Sequence, residues 1–276
     1  MVKKPYTKPK KRSDIRLYFG KKYFTLKKHF SWLLGGYKFA AVCDQALPFK
    51  CYAHKVPLYR KLKNVDMYLQ TNKVINLSIA VPKINLVTIR PGETFSYWRM
   101  IGKPTKRKGY AEGMILKSGT VTTGTGGGLC QLSNLIYWLT IHTPLTVLER
   151  HRHGYDVFPD SNRTLPFGSG ATCFYNYGDL VIQNNTAQTF QLSLEITDEF
   201  LKGAWFSDQP PEFSYSVYEK DHVMQSEFWG GFTRHNVLYR KKYDRASGNL
   251  VDDEYVIENH AIMMYAPFIA DREVNL

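Results

Sequence analysis

The strongest hydrophobic period in the chain lies just after a run of glycines. Leu132, Leu135, Ile136 and Leu139 recur at positions i, i+3, i+4 and i+7, which is the spacing of one face of an α-helix. The pattern predicts a helix from Cys130 to about His142, ended by Pro144. Gly124 and residues 126–128 precede it, so this helix starts at a glycine-rich loop.

Weaker patterns fill in the surrounding elements. A second helical pattern begins near Asn64 and is followed by Pro82, and a strand is predicted over 84–89, before a turn at Pro91–Gly92. A hairpin is expected around residues 117–119. Further β-like segments follow at 146–153, 171–184, 189–197, 203–207 and beyond residue 211. The fold class predicted is α+β: a central helix packed on an antiparallel β-sheet, with an N-terminal helical segment.

These patterns divide the chain into four parts. Residues 1–30 are expected to form a basic flexible arm and residues 31–82 an N-terminal helical segment. Residues 83–206 form the predicted α+β core, and residues 207–276 a β-rich extension after a linker at Pro210–Pro211.

The basic charge is concentrated in the arm. Residues 1–30 hold 11 Lys/Arg and one acidic residue, out of 37 and 24 in the whole chain. The body is therefore nearly balanced, and no nucleic-acid partner is expected. The arm suits either weak contact with an anionic membrane surface or a solvated, solubilising role. The apolar stretch at 29–43 is interrupted by glycines and Lys38 and is too short to span a bilayer, so we expect a cytoplasmic location.

Cys130 is the residue on which a chemical hypothesis depends. A thiol in the first turn of a helix meets unpaired backbone N–H groups and the positive end of the helix dipole, which favour the thiolate. The glycines do not match a phosphate-binding motif. A nucleophilic cysteine needs a base, and His153, with His151 as second choice, follows on the next predicted strand. Asp156 or Asp160 would orient that base.

The remaining candidates would bind substrate, and several alternatives stay open. Gln131 could donate to an oxyanion. Cys130 could instead be a buried core residue, the histidines a surface pair or partners of Glu149, and Cys130, His151 and His153 the ligands of a zinc ion. We rank the zinc site below catalysis and predict no metal or cofactor.

Four segments carry a resemblance to a known family. RPGETFSYW (90–98), GGGLCQLSNLIYW (126–138), HTPLTVLERHRH (142–153) and GSGAT (168–172) resemble the VanW family over about residues 43–206. The resemblance implies a cell-envelope or peptidoglycan context without naming a reaction. Many relatives carry an aspartate where this chain has Gly170, so the orienting carboxylate must come from elsewhere.

Two functional hypotheses follow. The first is a cysteine-nucleophile amide hydrolase or acyl-transferase that acts on a peptidoglycan-related peptide. The alternative is a non-catalytic cell-envelope or muropeptide-binding protein, accessory in glycopeptide resistance. In either case the ligand is expected to contact residues near the loop: Gly126, Gly127, Gly128, Ser133, Tyr97 and Trp98.

Overall fold

The structure, a computed structural model, describes residues 12–59, 66–117, 119–159 and 164–267. Its helices are α1 (Asp14–Leu34), α2 (Met67–Ala80), α3 (Tyr97–Ile101) and α4 (Cys130–Thr140), with 3-10 turns at Val81–Lys83 and Lys106–Lys108. The strands are β1 (Lys38–Phe39), β2 (Ala41–Val42), β3 (Phe49–Pro57), β4 (Val87–Ile89), β5 (Glu93–Ser96), β6 (Glu112–Lys117), β7 (Thr120–Thr125), β8 (Thr146–Glu149), β9 (Tyr155–Asp156), β10 (Val181–Gln183), β11 (Phe190–Ile196), β12 (Phe200–Ser207), β13 (Phe213–Glu227), β14 (Gly231–Asp244) and β15 (Leu250–Met263). The predicted α+β class is confirmed.

The strands pair mainly in antiparallel fashion. The largest described sheet has the order β2-β4-β11-β12-β3, and a smaller one the order β1-β5-β10-β8. A third sheet, β13-β14-β15-β9, contains the three longest strands, and β6 and β7 form a separate hairpin. Two pairs are parallel, β1 with β5 and β9 with β15. The hairpin pairs Lys117 with Thr120, on either side of the predicted turn.

Helix α4 is the central helix that the hydrophobic period predicts. Its leucines and Ile136 are buried in the main core, and the helix ends at Thr140, four residues before Pro144. It packs on strands β12 and β3. At Gly203 of β12 an added Cβ would lie 2.8 Å from Leu139. The missing side chain therefore lets the helix lie directly against the sheet.

Helix α2 exists, and its apolar pattern predicts its buried side only in part. Leu69 and Leu77 are buried, but Tyr68 and Ile75 of the same pattern are 55% and 44% exposed. The other buried positions include three polar residues: Gln70, Lys73 and Asn76. Lys73 donates to Gln70, and Asn76 donates to the Gly127 carbonyl, so a periodicity argument based on apolar residues misses these positions.

The N-terminal part of the chain differs from its expected form. Within the predicted flexible arm, residues from Asp14 onwards form α1, capped by the Ser13 side chain, which accepts from the Arg16 N–H. The predicted helical segment 31–82 contains β1–β3 before α2. Strand β3 lies at a sheet edge against β12. Because its partner lies almost 150 residues further along the chain, local pattern alone gave no sign of the pairing.

The C-terminal strands are tied to the rest of the chain at several points. Strand β15 pairs with β9, and Arg240 on β14 donates to the carbonyls of Ile141 and Thr143 just after α4. The division into four parts stays a prediction. Among the residues that the structure describes, no helix combines the length and apolar character needed to cross a membrane.

Candidate functional site

The glycine run is a packing device between α2, the β6–β7 hairpin and α4. Gly126 and Gly128 adopt positive φ angles of 78° and 91°. At Gly127 an added Cβ would lie 2.2 Å from the carbonyl oxygen of Gly113. Asn76 donates to the Gly127 carbonyl at 2.9 Å. The close approach that the glycines permit is therefore to the protein's own backbone, and the loop leaves no room there for a substrate.

The surroundings of the Cys130 thiol favour its neutral form. It lies 3.7 Å from the Cys173 carbonyl oxygen, which accepts its hydrogen bond. Burial raises the pKa of the Cys130 thiol, and hydrogen bonds from the backbone oppose that rise without overcoming it. Burial also raises the pKa of the neighbouring Cys173. A neutral thiol in this setting fits the core-residue alternative better than the thiolate that position at a helix start predicts.

The two side chains next to Cys130 on α4 are engaged in structural hydrogen bonds. Gln131 Nε2 donates to the Pro57 carbonyl at 2.8 Å, which ties α4 to the end of β3. Ser133 is fully buried, and its hydroxyl donates to the Ala171 carbonyl at 2.7 Å. Both side chains therefore hold α4 in place against its neighbours.

Tyr97 and Trp98 are also buried rather than lining an open surface. They are 0% and 4% exposed. The Tyr97 hydroxyl donates to the Leu129 carbonyl at 2.9 Å, at the start of α4, and Trp98 Nε1 donates to the Gly178 carbonyl at 3.0 Å. Both side chains are therefore part of the core, and their polar atoms are hydrogen-bonded to backbone carbonyls.

The predicted base is not assembled with the thiol. In the described part of the chain, neither His151 nor His153 is hydrogen-bonded to Cys130. His151 Nε2 lies 2.9 Å from a Glu149 carboxylate oxygen, which is one of the alternatives open from the sequence. His153 packs edge-on against Phe174, and burial, with Arg152 nearby, lowers its pKa to about 4. Strand β8 ends at Glu149, so neither histidine lies on the strand that was predicted to carry both.

The predicted orienting carboxylate Asp156 is engaged in other contacts. Asp156 lies 3.3 Å from Arg234 on β14 and accepts from the Tyr265 hydroxyl at 2.9 Å, so it joins β9 to the C-terminal sheet. Asp160 lies outside the described residues. At Gly170 an added Cβ would lie 2.5 Å from the Asn134 side chain, which accepts from the Ala171 N–H. An aspartate here would need Asn134 to move. In the described residues no three His, Cys, Asp or Glu side chains group as a metal site, and this includes the zinc alternative.

Sequence reasoning missed a buried charge cluster under α1. The Asp179 carboxylate, fully buried, accepts from Ser96 at 2.5 Å and from the Trp98 N–H at 2.9 Å. Lys28 lies 3.3 Å from Asp179 and 2.5 Å from Glu149. Burial raises the pKa of Asp179. For Glu149, burial acts in the same direction, but hydrogen bonds from His151 and Lys28 prevail and hold its pKa at about 2.

A cleft of about 440 Å³, lined by apolar side chains and a few polar groups, lies between the core and the C-terminal sheet. Its lining comprises aliphatic and aromatic side chains of α4, β8 and β15, together with two arginines: Tyr137, Ile141, Leu145, Thr146, Val147, Leu148, Arg150, Arg240, Tyr255, Val256 and Ile257. Arg240 is paired with Glu254 at 2.6 Å.

Arg150 differs from Arg240 because its partners are uncharged. Its guanidinium donates to the carbonyls of Gly168 and Gly170 and to the Asn259 side chain, and it lies 5.0 Å from the Tyr137 ring centroid. Burial lowers the pKa of Arg150. The guanidinium stays protonated at neutral pH all the same, since an unperturbed arginine titrates above about 12. The cleft therefore holds one positive charge that no carboxylate of the described residues neutralises.

Comparisons with known proteins identify the family to which the chain belongs. The sequence model of a family described as "VanW like protein" matches residues 72–206. The vancomycin B-type resistance protein VanW of Enterococcus faecalis is 33% identical over 224 residues, which cover 80% of this chain and 80% of that protein. The chain belongs to the VanW family.

A second relative is more distant. The uncharacterized protein YoaR of Bacillus subtilis is 30% identical over 113 residues, which cover 41% of this chain and 36% of YoaR. No solved structure matches the chain. The family match includes the glycine run, Cys130 and Arg150, so both the loop and one wall of the cleft lie in the shared region.

Proposed function

We propose that the chain is a non-catalytic binding protein of the cell envelope that holds a carboxylate-bearing peptide, of the kind found in peptidoglycan precursors, in the cleft beside Arg150. The relative from Enterococcus faecalis is named for vancomycin resistance of the B type. A role as an accessory protein in glycopeptide resistance is part of this proposal.

The observation that carries the proposal is the charge of Arg150 in its setting. A guanidinium held by carbonyls is rigid and remains positive. Its Nε and Nη2 hydrogens are bonded to the carbonyls and one Nη1 hydrogen to Asn259, so one Nη1 N–H and the charge are left for a ligand carboxylate. Apolar and aromatic side chains around it supply contact area for a peptide, since Tyr137 and Tyr255 stand at the same cleft.

Three features weigh against the thiol enzyme. The Cys130 thiol is hydrogen-bonded to a carbonyl, its pKa is raised, and the histidines have other partners. A general base has to reach the proton that it removes, and neither imidazole is bonded to this sulfur.

The proposal is tested by calorimetry on the full chain with a muropeptide whose C-terminal carboxylate is free, and with the same peptide amidated. We expect binding of the free acid only. Thr146→Glu adds a negative charge at the cleft without touching the Arg150 hydrogen bonds and should weaken binding about tenfold, whereas the uncharged Thr146→Gln should leave it nearly unchanged.

A second variant addresses Arg150 itself. Arg150→Gln should abolish the preference for the free acid, and Arg107→Gln, on the exposed 3-10 turn, serves as the matched control. Equal affinity for the acid and the amide would overturn the cleft assignment. Hydrolysis or transfer on the peptide that Cys130→Ala removes would overturn the non-catalytic assignment and restore the thiol enzyme.

A further inference from the structure

Six large apolar side chains form a continuous stripe along the solvent side of α1. Ile15, Phe19, Tyr23, Leu26, Phe30 and Leu33 are spaced by four, four, three, four and three residues, and each is 58–77% exposed. This spacing keeps them on one face over about 27 Å of helix. Surface apolar residues are ordinary when scattered, but a stripe of this length marks an interaction surface.

The other face of α1 fixes the direction in which the stripe points. Lys28 pairs with Glu149 and Asp179, and Trp32 packs against the core. At 100° per residue these two positions lie opposite Leu26 and Phe30. The stripe is therefore held outward by a buried ion pair and cannot fold back onto the body without breaking it.

The charges around the stripe indicate what covers it. Arg16, Lys22 and Lys27 flank it, and Asp14 is the sole acidic residue among the first 30, against 11 Lys/Arg. A second copy of the same helix would bring like charges together. An anionic lipid surface satisfies both features, because phospholipid headgroups attract the basic flanks while the apolar face enters the acyl boundary.

We propose that α1 lies in the interface of an anionic bilayer. Its apolar stripe enters the boundary of the acyl chains, and the opposite face, which carries Lys28, contacts the rest of the protein. The helix is parallel to the membrane surface in this arrangement. The inference is independent of the ligand proposed for the cleft, because it rests on different residues.

The experiment is co-sedimentation of the full chain with phosphatidylcholine vesicles and with vesicles that also contain about one third phosphatidylglycerol. We expect binding to the anionic vesicles only, weakened by salt. Leu26→Glu and Phe30→Glu should each reduce the partition coefficient by about tenfold or more. Phe228→Glu, an equally drastic change at an 82% exposed residue outside α1, is the matched control and should bind as the wild type does.

Folding and oligomeric state are controlled alongside. All three substituted residues are exposed, so melting temperatures should match the wild type. Equal sedimentation of wild type and both stripe variants would overturn the proposal. A wild-type dimer in size-exclusion chromatography that Leu26→Glu dissociates, without vesicle binding, would overturn it in favour of a second copy as the occupant.

Discussion

The Lys28 ammonium of α1 lies 2.5 Å from the Glu149 carboxylate at the end of β8, and 3.3 Å from the buried Asp179. The contact joins residues 121 positions apart. Together with the packing of Trp32, it fastens a largely exposed helix to the part of the core that lies beside β8 and β10.

Removal of this cation should destabilise the protein more than its surface location suggests. Lys28→Met leaves Asp179 with a buried charge and no cation beside it, so we expect a loss of about 2–3 kcal/mol in the free energy of unfolding. Urea denaturation measures it, with Lys27→Met, on the exposed side of α1, as the control expected within about 0.5 kcal/mol of wild type. If Lys28→Met combined with Asp179→Asn is no more stable than Lys28→Met alone, the buried charge is not the cause.

Substitution of a glycine in the run by a larger residue should destabilise the protein for a steric reason. Gly127→Ala would place a Cβ 2.2 Å from the Gly113 carbonyl oxygen, so the hairpin and the loop must separate, at a cost of about 3 kcal/mol. Gly154→Ala is the matched control, because nothing lies within 4 Å of its Cβ position. Thermal unfolding distinguishes them, and equal melting temperatures would show that the loop yields easily.

Local patterns in the sequence predicted those elements whose signal is contained in a short window. The period of α4, the glycine turn of the β6–β7 hairpin and the alternation in β11 belong to this class. Strand β3 was missed because its pairing partner is remote, and α1 was missed because its lysines dominated the composition of the arm. In both cases tertiary contact, rather than local preference, decides the structure.

The candidate site was less predictable than the fold. Two histidines two residues apart share a face only within a strand, and the strand ends at Glu149 before either is reached. Arg150 is a candidate binding residue because its hydrogen-bond acceptors are carbonyls rather than carboxylates. No sequence pattern predicts those acceptors. The sequence did offer the pairing of His151 with Glu149 as an alternative to catalysis, and the structure shows that contact.

The Cys130 thiol should react slowly with soft electrophiles. Because burial raises its pKa, the thiolate fraction at neutral pH is smaller than that of a free thiol, and we expect alkylation by iodoacetamide slower than that of glutathione at pH 7. Mass spectrometry of the Cys130 peptide over time measures the rate. Faster alkylation than glutathione would show an activated thiol and would revive the catalytic hypothesis.

As the pH is lowered, protonation of His142 should destabilise the folded chain at a higher pH than protonation of Glu149 does. His142 is buried, stacked 3.9 Å from the Tyr52 ring with its Nδ1 2.8 Å from the Trp138 carbonyl oxygen, and burial lowers its pKa to about 4. In the unfolded chain His142 takes up a proton near pH 6.5, whereas in the folded chain it does so only near pH 4. The free energy of unfolding should therefore fall by about 3 kcal/mol as the pH is lowered through this range. Glu149 affects stability at a lower pH. Because its pKa is about 2 in the folded chain, the stability that its charge contributes is lost only between pH 4.5 and 2.

The variant His142→Asn isolates the first effect, because an amide can still donate to the Trp138 carbonyl but does not titrate. Urea denaturation of wild type and variant at pH 7, 5.5 and 4.5 should show a steeper decline for the wild type. The difference between the two removes contributions that they share, among them that of His153, whose pKa is also lowered to about 4. Parallel curves would mean that His142 takes up its proton in the folded state near the ordinary pKa of histidine, and that its burial against Tyr52 is looser than the ring stacking indicates.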